Sequence, residues 1–239
     1  MEIRVQELRK SFQLQGQDPL LVLDGVDFDI RDGEFVTLLG PSGCGKTTIL
    51  KIIACIEKAD EGKIEPSPDS VGSLPIVWQE DRLFPWRTVL KNVTFPLELK
   101  NKETARMKEK ARELLQVMGL GEFESYYPWQ ISGGMAERVA IARALVTDPR
   151  CVLMDEPFAS VDYQTKQTLF EQVQELRKKQ ELTILYVTHD LRDAIQFSDR
   201  IVVLSGIPTK VREIIKPTAA DLAHSELEER LWNLLQQDA

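Results

Sequence analysis

Eight residues near the start of the sequence carry its strongest chemical signal. Gly40-Pro41-Ser42-Gly43-Cys44-Gly45-Lys46-Thr47 fits the pattern G-x-x-x-x-G-K-[ST], whose backbone N–H groups surround phosphate oxygens. Its glycines permit this because they lack a Cβ that would keep the backbone away from a phosphate. We expect Lys46 to reach the β- and γ-phosphates, the Thr47 hydroxyl to bind Mg²⁺, and Thr48 to complete the nucleotide contacts.

The segments on both sides of this loop support the assignment. Glu34-Phe35-Val36-Thr37-Leu38-Leu39 predicts a buried strand, and the apolar segment 48–54 predicts a helix. A helix N-terminus attracts anions, so strand, loop and helix together form the context that phosphate binding requires. The alternative, a glycine-rich turn with a solvated lysine, is disfavoured by these flanks.

Two carboxylates follow a second apolar segment. Cys151-Val152-Leu153-Met154 predicts a buried strand, and Asp155 and Glu156 come directly after it. Ligands of α/β proteins bind at the carboxyl ends of strands. We therefore expect Asp155 to help hold Mg²⁺, through water, and Glu156 to face the attacking water. Without the phosphate-binding pattern, a strand that ends in two solvated acids would be an equally good interpretation.

The elements that must position these residues alternate between strands and helices. The later part of the chain predicts strands and helices at 151–155, 164–180, 182–188, 191–197 and 200–204. This alternation favours an α/β fold with a parallel sheet covered by helices. The earlier part predicts a short strand at 76–79, hairpin loops at 15–19 and 31–33, a turn at 60–63 and an exposed loop at 65–69.

The middle of the chain predicts helices instead. They span 104–118, with Gly119 as the stop, and 136–146. We expect a single domain, 1–239, in which a helical subdomain at 85–148 interrupts a catalytic core of segments 1–84 and 149–205. The remaining residues, 206–239, form a C-terminal extension whose amphipathic helix, 225–235, has Ser225 as its N-cap.

Composition narrows the classes of function. The net charge of −8 argues against nonspecific affinity for nucleic acid, which rests on Lys and Arg neutralising phosphates. Three cysteines (Cys44, Cys55 and Cys151) have no metal-type spacing and predict small buried thiols in a reduced cytosolic compartment. No apolar run approaches the roughly 20 residues that span a bilayer, and the strand-like N-terminus is no signal peptide. Any membrane role must come through a partner.

Further motifs give the chain a family resemblance over residues 1–205. Ile131-Ser132-Gly133-Gly134-Met135, followed by Arg138 and Ile141-Ala142-Arg143-Ala144-Leu145, resembles the signature motif of ABC-type ATPases. Four shorter matches fall in the family's order: Phe12 (adenine-stacking aromatic), Gln79 (Q-loop), Ser160-Val161-Asp162 (D-loop) and His189 (switch histidine). The resemblance implies a P-loop NTPase core, a mixed sheet with an antiparallel N-terminal part, and an inserted helical subdomain.

The resemblance also implies a role for each matched residue. Members of this family form ATP-dependent head-to-tail dimers that sandwich two ATP molecules. Ser132, Gly133 and Gly134, at a helix N-terminus, would bind the γ-phosphate held by the other subunit. Gln79 would contact Mg²⁺, His189 would donate a hydrogen bond to the γ-phosphate, and Phe12 and Asp162 would complete the nucleotide site. By itself, His189 would be better interpreted as a histidine that closes a strand, and His224, which has no such context, as a solvent-facing residue.

Departures from the family pattern leave the catalytic groups in place. They are Phe12 for a commoner Tyr, Met135 for Gln, Ala136-Glu137 for Arg-Gln, Val161 for Leu and Cys55 for Gly. Stacking needs only an aromatic face, so Phe12 is compatible with adenine. The acid at 137 stands where relatives carry a polar amide, and the cation at 136 is lost, so nucleotide affinity or dimer closure could differ.

The segment after Gln79 resembles one branch of the family. Leu83-Phe84-Pro85-Trp86, followed by Thr88-Val89 and Asn92-Val93, is similar to the Leu-Leu-Pro-Trp region of nitrate/sulfonate/taurine importer ATPases. In that branch Phe84 and Trp86 would lie near the groove that receives a permease helix. The alternative is that both are ordinary aromatics that pack the helical subdomain.

The resemblance leaves two functions from different classes. The first is the ATPase subunit of an importer, peripheral on the cytoplasmic face of the inner membrane, working with a permease and a solute-binding protein. The second is a permease-independent ABC ATPase that acts as a nucleic-acid- or translation-associated module. Proteins of the second class usually carry a coiled-coil insertion, zinc-binding cysteines or tandem ATPase domains, and this sequence has none of them. The importer is therefore favoured. A nucleotide-binding regulator without turnover is a third, weaker alternative, because Glu156 and His189 are both present.

Overall fold

A computed structural model describes residues 1–13, 16, 18–66, 74–99, 104–158, 161–218, 221 and 226–236. Within them, the strands are β1 (Ile3–Phe12), β2 (Leu20–Ile30), β3 (Phe35–Leu39), β4 (Glu61–Glu65), β5 (Ile76–Val77), β6 (Cys151–Asp155), β7 (Thr183–Thr188), β8 (Arg200–Leu204) and β9 (Val211–Ile215). The helices are α1 (Lys46–Ile53), α2 (Val89–Leu99), α3 (Ala105–Val117), α4 (Gly133–Leu145), α5 (Tyr163–Gln180), α6 (Leu191–Phe197) and α7 (Glu226–Gln236). Short 3₁₀ helices at Gly121–Phe123 and Pro128–Gln130 precede α4.

The chain separates into two compact units. One combines Met1–Leu74 with Thr183–Ala239, and the other is Pro75–Leu182. These bounds follow the packing of the backbone, whereas the 85–148 subdomain was inferred from the helical pattern of the middle of the sequence and stays a prediction. In the described residues, no helix has the length and apolar character needed to cross a membrane.

The first unit contains an antiparallel sheet and a mixed arrangement of strands. The antiparallel sheet has the order β2-β1-β4. Strand β3 lies between β7 and β8 and is parallel to both, and β9 pairs antiparallel with β8. All five residues of β3 are buried, as the apolar segment predicted. The predicted mixed sheet with an antiparallel N-terminal part is thus confirmed.

Helices α6 and α7 close one side of these strands. Apolar side chains from β3, β8, β9 and both helices form one buried cluster: Leu39, Ala194, Ile195, Ile201, Val203, Ile215, Leu227 and Leu231. Leucines recur at helical spacing along α7, which explains why the predicted amphipathic helix forms there. Strand β9 was not predicted, because its charged and half-buried residues give a weak period-2 pattern.

The second unit is mainly helical. Strands β5 and β6 pair in parallel, and α2, α3 and α4 pack against one another. The buried Asn92 of α2 holds the preceding turn, because its side-chain nitrogen donates to the carbonyls of Phe84, Arg87 and Thr88 and its oxygen accepts from the Phe84 N–H. Helix α3 begins at an N-cap, Thr104, and ends as predicted before Gly119, whose φ is +67°.

Two predicted loops are wrong. Residues 61–63 belong to β4, which pairs with β1, and do not form a turn. Gly62 allows β4 to lie close to β1, since a Cβ on Gly62 would overlap the carbonyl oxygen of Glu7. The turn at 31–33 is also no hairpin, because it carries the chain from β2 to β3, and β3 pairs with β7 and β8. A hydrogen bond from the N–H of Glu34 to the carbonyl of Arg31 closes this turn.

The cysteine prediction holds for two of the three thiols. Cys44 and Cys151 are buried, whereas Cys55 is exposed. Cys55 follows the last turn of α1 with a φ of +60°, and hydrogen bonds from Cys55 to Ile52 and from Ile56 to Lys51 form a Schellman motif. This position turns its side chain outward, which sequence spacing did not reveal.

The other element predictions differ only at their ends. Helix α4 begins at Gly133, three residues before the predicted start, because Ser132 caps it. The predicted N-cap Ser225, the solvent-facing His224, the first D-loop residue Ser160 and residues 67–69 of the predicted exposed loop lie outside the described residues.

Arg200 joins the two sheets of the first unit and provides a test of their packing. Its side chain is only 12% exposed, and its guanidinium donates hydrogen bonds to both carboxylate oxygens of Glu34 and to Asp29. The hydrogen bond from Arg200 also holds the pKa of Asp29 below its ordinary value.

We expect Arg200→Met to lower the free energy of unfolding by about 2–4 kcal/mol, because Glu34 is left buried without its partner. Since the pKa of Asp29 is lowered by folding, its contribution is present above its unfolded pKa and is lost as the pH falls from about 4 through the lowered value. The variant should therefore lose less stability in acid than the wild type. Urea unfolding at pH 7 and pH 3 measures both effects.

Arg31→Met is the control, because Arg31 is an exposed arginine that also pairs with Asp29. This substitution should change the free energy of unfolding by less than about 0.5 kcal/mol. An equal loss of stability in both variants would contradict the role given to Arg200.

Candidate functional site

The predicted phosphate-binding loop, 40–47, connects the C-terminal end of β3 to the first residues of α1. Lys46 begins the helix, and its buried ammonium group donates to the carbonyls of Gly40 and Pro41, both at 2.8 Å. An ammonium group has three donors, so one remains for a phosphate oxygen. The lysine is therefore fixed across the loop, and the solvated-lysine alternative is wrong for this structure.

Glycines at two points of the loop occupy places where a side chain would not fit. Gly45, the N-cap of α1, has a φ of +103°, and a Cβ there would lie 2.9 Å from Val22 and 3.0 Å from Leu23. A Cβ on Gly40 would lie 2.8 Å from the Cys44 sulfur. Gly43 also has a positive φ, of +78°, but has open space around it. The backbone of Gly45 is thus pressed onto β2, whereas the tip of the loop is free.

The rest of the loop presents neutral polar groups. Ser42 is exposed, and Pro41, Thr47 and Thr48 are half-buried. Burial raises the pKa of the Cys44 thiol, which keeps it neutral and avoids a second anion beside a phosphate. The α1 N-terminus supplies backbone N–H groups to the same place. This loop can hold a polyphosphate.

Phe12 and His189 lie in the same unit as the loop. Phe12 ends β1 with a half-exposed ring, and the Lys10 ammonium lies 5.2 Å from its centroid. His189 is exposed and follows β7 directly. Because Leu39 of β3 pairs with Thr188 of β7 in parallel register, the next residues, Gly40 and His189, emerge at the same edge of the strands.

Gln79, Asp155 and Glu156 belong to the second unit. Val77 of β5 pairs in parallel with Met154 of β6, so the residues that follow both strands emerge at one edge. Asp155 is buried at the end of β6, and Gln79 is exposed. Glu156 has a φ of +47°, a left-handed conformation that is uncommon for a residue with a side chain and often marks a functional position.

The signature residues stand at the N-terminus of α4. The Ser132 hydroxyl oxygen accepts a hydrogen bond from the Met135 N–H, and Ser132 and Gly133 are exposed. A Cβ on Gly134 would lie 3.6 Å from Val161 of the D-loop, so the two motifs are neighbours. Asp162 caps α5, and hydrogen bonds from Thr165 hold the pKa of its carboxyl below its ordinary value.

The structure thus brings the predicted site residues together in two groups. The first unit holds Phe12, Gly40, Pro41, Ser42, Gly43, Cys44, Gly45, Lys46, Thr47, Thr48 and His189, and the second holds Gln79, Ser132, Gly133, Gly134, Asp155, Glu156 and Asp162. Their individual roles stay predictions.

Sequence reasoning did not identify two residues that hold these segments. Arg143 of α4 donates to the carbonyls of Asp81 and Arg82, and so ties the signature helix to the chain just after Gln79. Its place in the segment Ile141–Leu145 was the available signal. Thr209, buried between β8 and β9, bonds to the carbonyl of Cys44 in the loop. No motif marks Thr209.

Phe84, Trp86 and Phe95 form an aromatic patch in which Trp86 is exposed and the two phenylalanines are half-buried. The Phe84 ring packs edge-on against Phe95, with centroids 4.6 Å apart, and lies tilted against Trp86 at 5.5 Å, and Trp86 is 72% exposed. The Arg87 guanidinium lies 4.8 Å from the Phe95 ring and binds both oxygens of Glu98, which orders the patch. The alternative that these rings pack the interior is wrong for Trp86, and Phe84 serves as its support.

Comparison with known proteins gives consistent matches. A family model described as ABC transporter matches residues 23–159. An uncharacterised ABC transporter ATP-binding protein of Methanocaldococcus jannaschii is 43% identical over 220 residues, 90% of this chain and 82% of the relative. An aliphatic sulfonates import ATP-binding protein of Bacillus cereus is 40% identical over 90% of this chain and 86% of its own length.

A solved structure matches the fold as well. It is the dimeric structure of a post-hydrolysis state of an ATP-binding cassette, bound to ADP and Pi. The TM-score is 0.80 at 31% sequence identity, and the match covers 91% of this chain and 99% of the other.

Gly43 and Gly45, the two loop glycines with a positive φ, form a matched pair for testing the close packing of the loop on β2. We expect Gly45→Ala to weaken ATP binding at least about tenfold more than Gly43→Ala. Both variants strain the backbone by about 1 kcal/mol or more, but only an alanine at position 45 meets Val22 and Leu23. Calorimetric titration with ATP, beside thermal melting, measures the difference. Equal affinities of the two variants would mean that the close approach does not shape the loop.

Proposed function

Because this chain belongs to the ABC transporter family and is an ATPase, we propose that it is the ATP-hydrolysing subunit of an importer, energising solute uptake through a separate permease. The observation that carries the proposal is the loop at 40–47, where Lys46 is held by two loop carbonyls at the N-terminus of α1. This arrangement binds the phosphates of ATP, with Phe12 stacking on the adenine.

Hydrolysis then needs a base and a donor near the γ-phosphate. Glu156, which directly follows β6 in a left-handed backbone conformation, accepts a proton from the attacking water. His189, placed at the edge where the loop begins, donates a hydrogen bond to the γ-phosphate. Lys46 neutralises the charge that spreads over the phosphate oxygens.

Mg²⁺ would be held by Thr47, Gln79 and Asp155. A hydroxyl, an amide oxygen and a carboxylate are oxygen donors of the kind that this ion prefers, and Mg²⁺ takes few protein ligands when phosphates supply others. The parallel register of β5 and β6 supports the pairing of Gln79 with Asp155, since Asp155 ends β6 and Gln79 lies just beyond the end of β5, at the same edge. When bound, the ion neutralises β- and γ-phosphate oxygens.

The active form is an ATP-dependent homodimer. Ser132 and Gly133 are exposed at the α4 N-terminus, where their N–H groups attract anions. We assign to this surface the γ-phosphate bound by the loop of the partner subunit, with Gly134 and Asp162 beside it. The solved relative is itself dimeric in its post-hydrolysis state.

The permease docks on the aromatic patch of Phe84, Trp86 and Phe95. A large exposed aromatic group supported by a second ring is the kind of anchor that dominates protein interfaces. The chain then lies on the cytoplasmic face of the inner membrane, peripheral and bound through the permease. A relative's name points to sulfonates, so the solute we propose is a sulfonate or a similar oxyanion, delivered by a solute-binding protein.

Co-purification separates this proposal from a permease-independent ATPase that acts on nucleic acid or in translation. The chain, expressed with its permease gene, is expected to be recovered in a detergent-solubilised complex whose ATPase rate rises with a sulfonate-loaded binding protein. Recovery with ribosomes or nucleic acid, and not with the permease, would favour the other class.

We expect Glu156→Gln to slow ATP hydrolysis by about 10²–10⁴-fold, because the amide keeps the shape but cannot accept the proton. ATP affinity should persist, and size-exclusion chromatography with ATP should show a dimer. Glu181→Gln is the matched control, since Glu181 also has a left-handed backbone, with a φ of +52°, but precedes β7, at the opposite end of that strand from His189. A wild-type rate in the Glu156 variant would show that the base is misassigned.

We expect Trp86→Ala to weaken assembly with the permease by about 2 kcal/mol, while the melting temperature of the isolated subunit changes by less than about 2 °C. The reason is that Trp86 is largely exposed and has little packing to lose. In Phe84→Ala/Trp86→Ala, stability should also fall, since the Phe84 ring packs on Phe95.

Pull-down with the permease and thermal melting measure the two effects of these substitutions. Trp232→Ala, at another exposed tryptophan on α7, is the control for loss of an aromatic surface. Undiminished capture of the Trp86 variant would exclude the patch as the docking site.

A further inference from the structure

The connection between β8 and β9 lies directly against the phosphate-binding loop. Thr209 in this connection is fully buried, its N–H donates to the carbonyl of Val22 at 2.8 Å, and its own carbonyl accepts from the Asp24 N–H at 3.0 Å. These bonds insert Thr209 as a short parallel bridge beside β2. Its side-chain hydroxyl donates to the carbonyl oxygen of Cys44 in the loop.

Flanking contacts fix this connection at both ends. The Ser205 hydroxyl oxygen accepts from the N–H of Lys210, and the N–H of Ser205 donates to the Lys210 carbonyl. The Lys210 ammonium forms an ion pair with Asp24 at 2.9 Å. These hydrogen bonds and the ion pair hold the backbone of Thr209 in place, and so fix the position of its hydroxyl beside the loop.

The hydroxyl determines which way one loop peptide faces. In a planar trans peptide the C=O and the following N–H point in opposite directions. Because the Cys44 carbonyl accepts a hydrogen bond from Thr209, the Gly45 N–H of the same peptide points away from Thr209, to the side of the loop that we assign to the phosphates. Gly45 tolerates this orientation through its φ of +103° and its missing Cβ, which would lie 2.9 Å from Val22.

We propose that Thr209 is a positioning residue for ATP binding, which presents the Gly45 N–H to the phosphates by holding the Cys44 carbonyl. The inference rests on the proposed phosphate-binding function of the loop. Without the hydroxyl, the buried Cys44 carbonyl has lost its donor, and the peptide populates other orientations. The apparent affinity for ATP then falls in proportion to the fraction of molecules whose Cys44–Gly45 peptide still presents its N–H to the ligand.

The experiment compares Thr209→Val, which keeps the shape and removes the hydroxyl, with Thr209→Ser, which keeps the hydroxyl. Calorimetric Kd for ATP, KM and kcat for hydrolysis, and the melting temperature are measured on each. We expect Thr209→Val to raise Kd and KM about tenfold, with kcat at saturating ATP within about twofold of the wild type. Thr209→Ser should restore Kd and KM.

A purely structural role would lower the melting temperature of Thr209→Val and leave KM unchanged, and this outcome would overturn the proposal. Equal Kd values for the Val and Ser variants would also overturn it, because the hydroxyl would not be the acting group. If Thr209→Val does not fold, Thr209→Ala takes its place under the same criteria. A wild-type protein that binds no ATP would refute the proposed function itself, whereas a binding wild type with an unaffected Val variant refutes only the role of Thr209.

Discussion

The parallel register of β3 with β7 and β8 is the constraint on which the phosphate-binding half of the site depends. Leu39 pairs with Thr188 on one side and with Val203 on the other, so three chain segments leave the strands at one edge. Those segments are the loop at 40–47, His189 and the residues that lead to Thr209. A shift of one residue in this register would move every following group to a different height and face.

A second constraint is that two positions of the loop, Gly40 and Gly45, have no room for a side chain. The loop reaches its conformation because Gly45 packs on Val22 and Leu23 without a Cβ, and because Gly40 leaves room for the Cys44 sulfur. Lys46 then crosses the loop to bond with two of its carbonyls. Sequence, backbone conformation and charge therefore point to the same ligand, a polyphosphate, and each would be hard to explain without the others.

Local patterns predicted most of the fold, and contacts between distant residues account for what they missed. The loop with its flanks, the strands that follow residue 150 and the helix ends at Thr104 and Gly119 carry signals within a few residues. The strand at Glu61–Glu65 was mistaken for a turn because the reason for its glycine is the close approach of the Glu7 backbone, more than fifty residues away in sequence. Thr209 and Arg143 likewise act on carbonyls that are distant in sequence, which no local pattern reveals.

The proposed activity depends on the binding of ATP by Lys46 and its loop. Calorimetric titration of purified Lys46→Ala with ATP, together with release of inorganic phosphate, tests it most directly, with Lys51→Ala on the next turn of α1 as the matched control. We expect the Lys46 variant to lose ATP binding or turnover and the Lys51 variant to keep both, because it is the Lys46 ammonium that crosses the loop to the carbonyls of Gly40 and Pro41. Wild-type affinity and turnover in the Lys46 variant would contradict it.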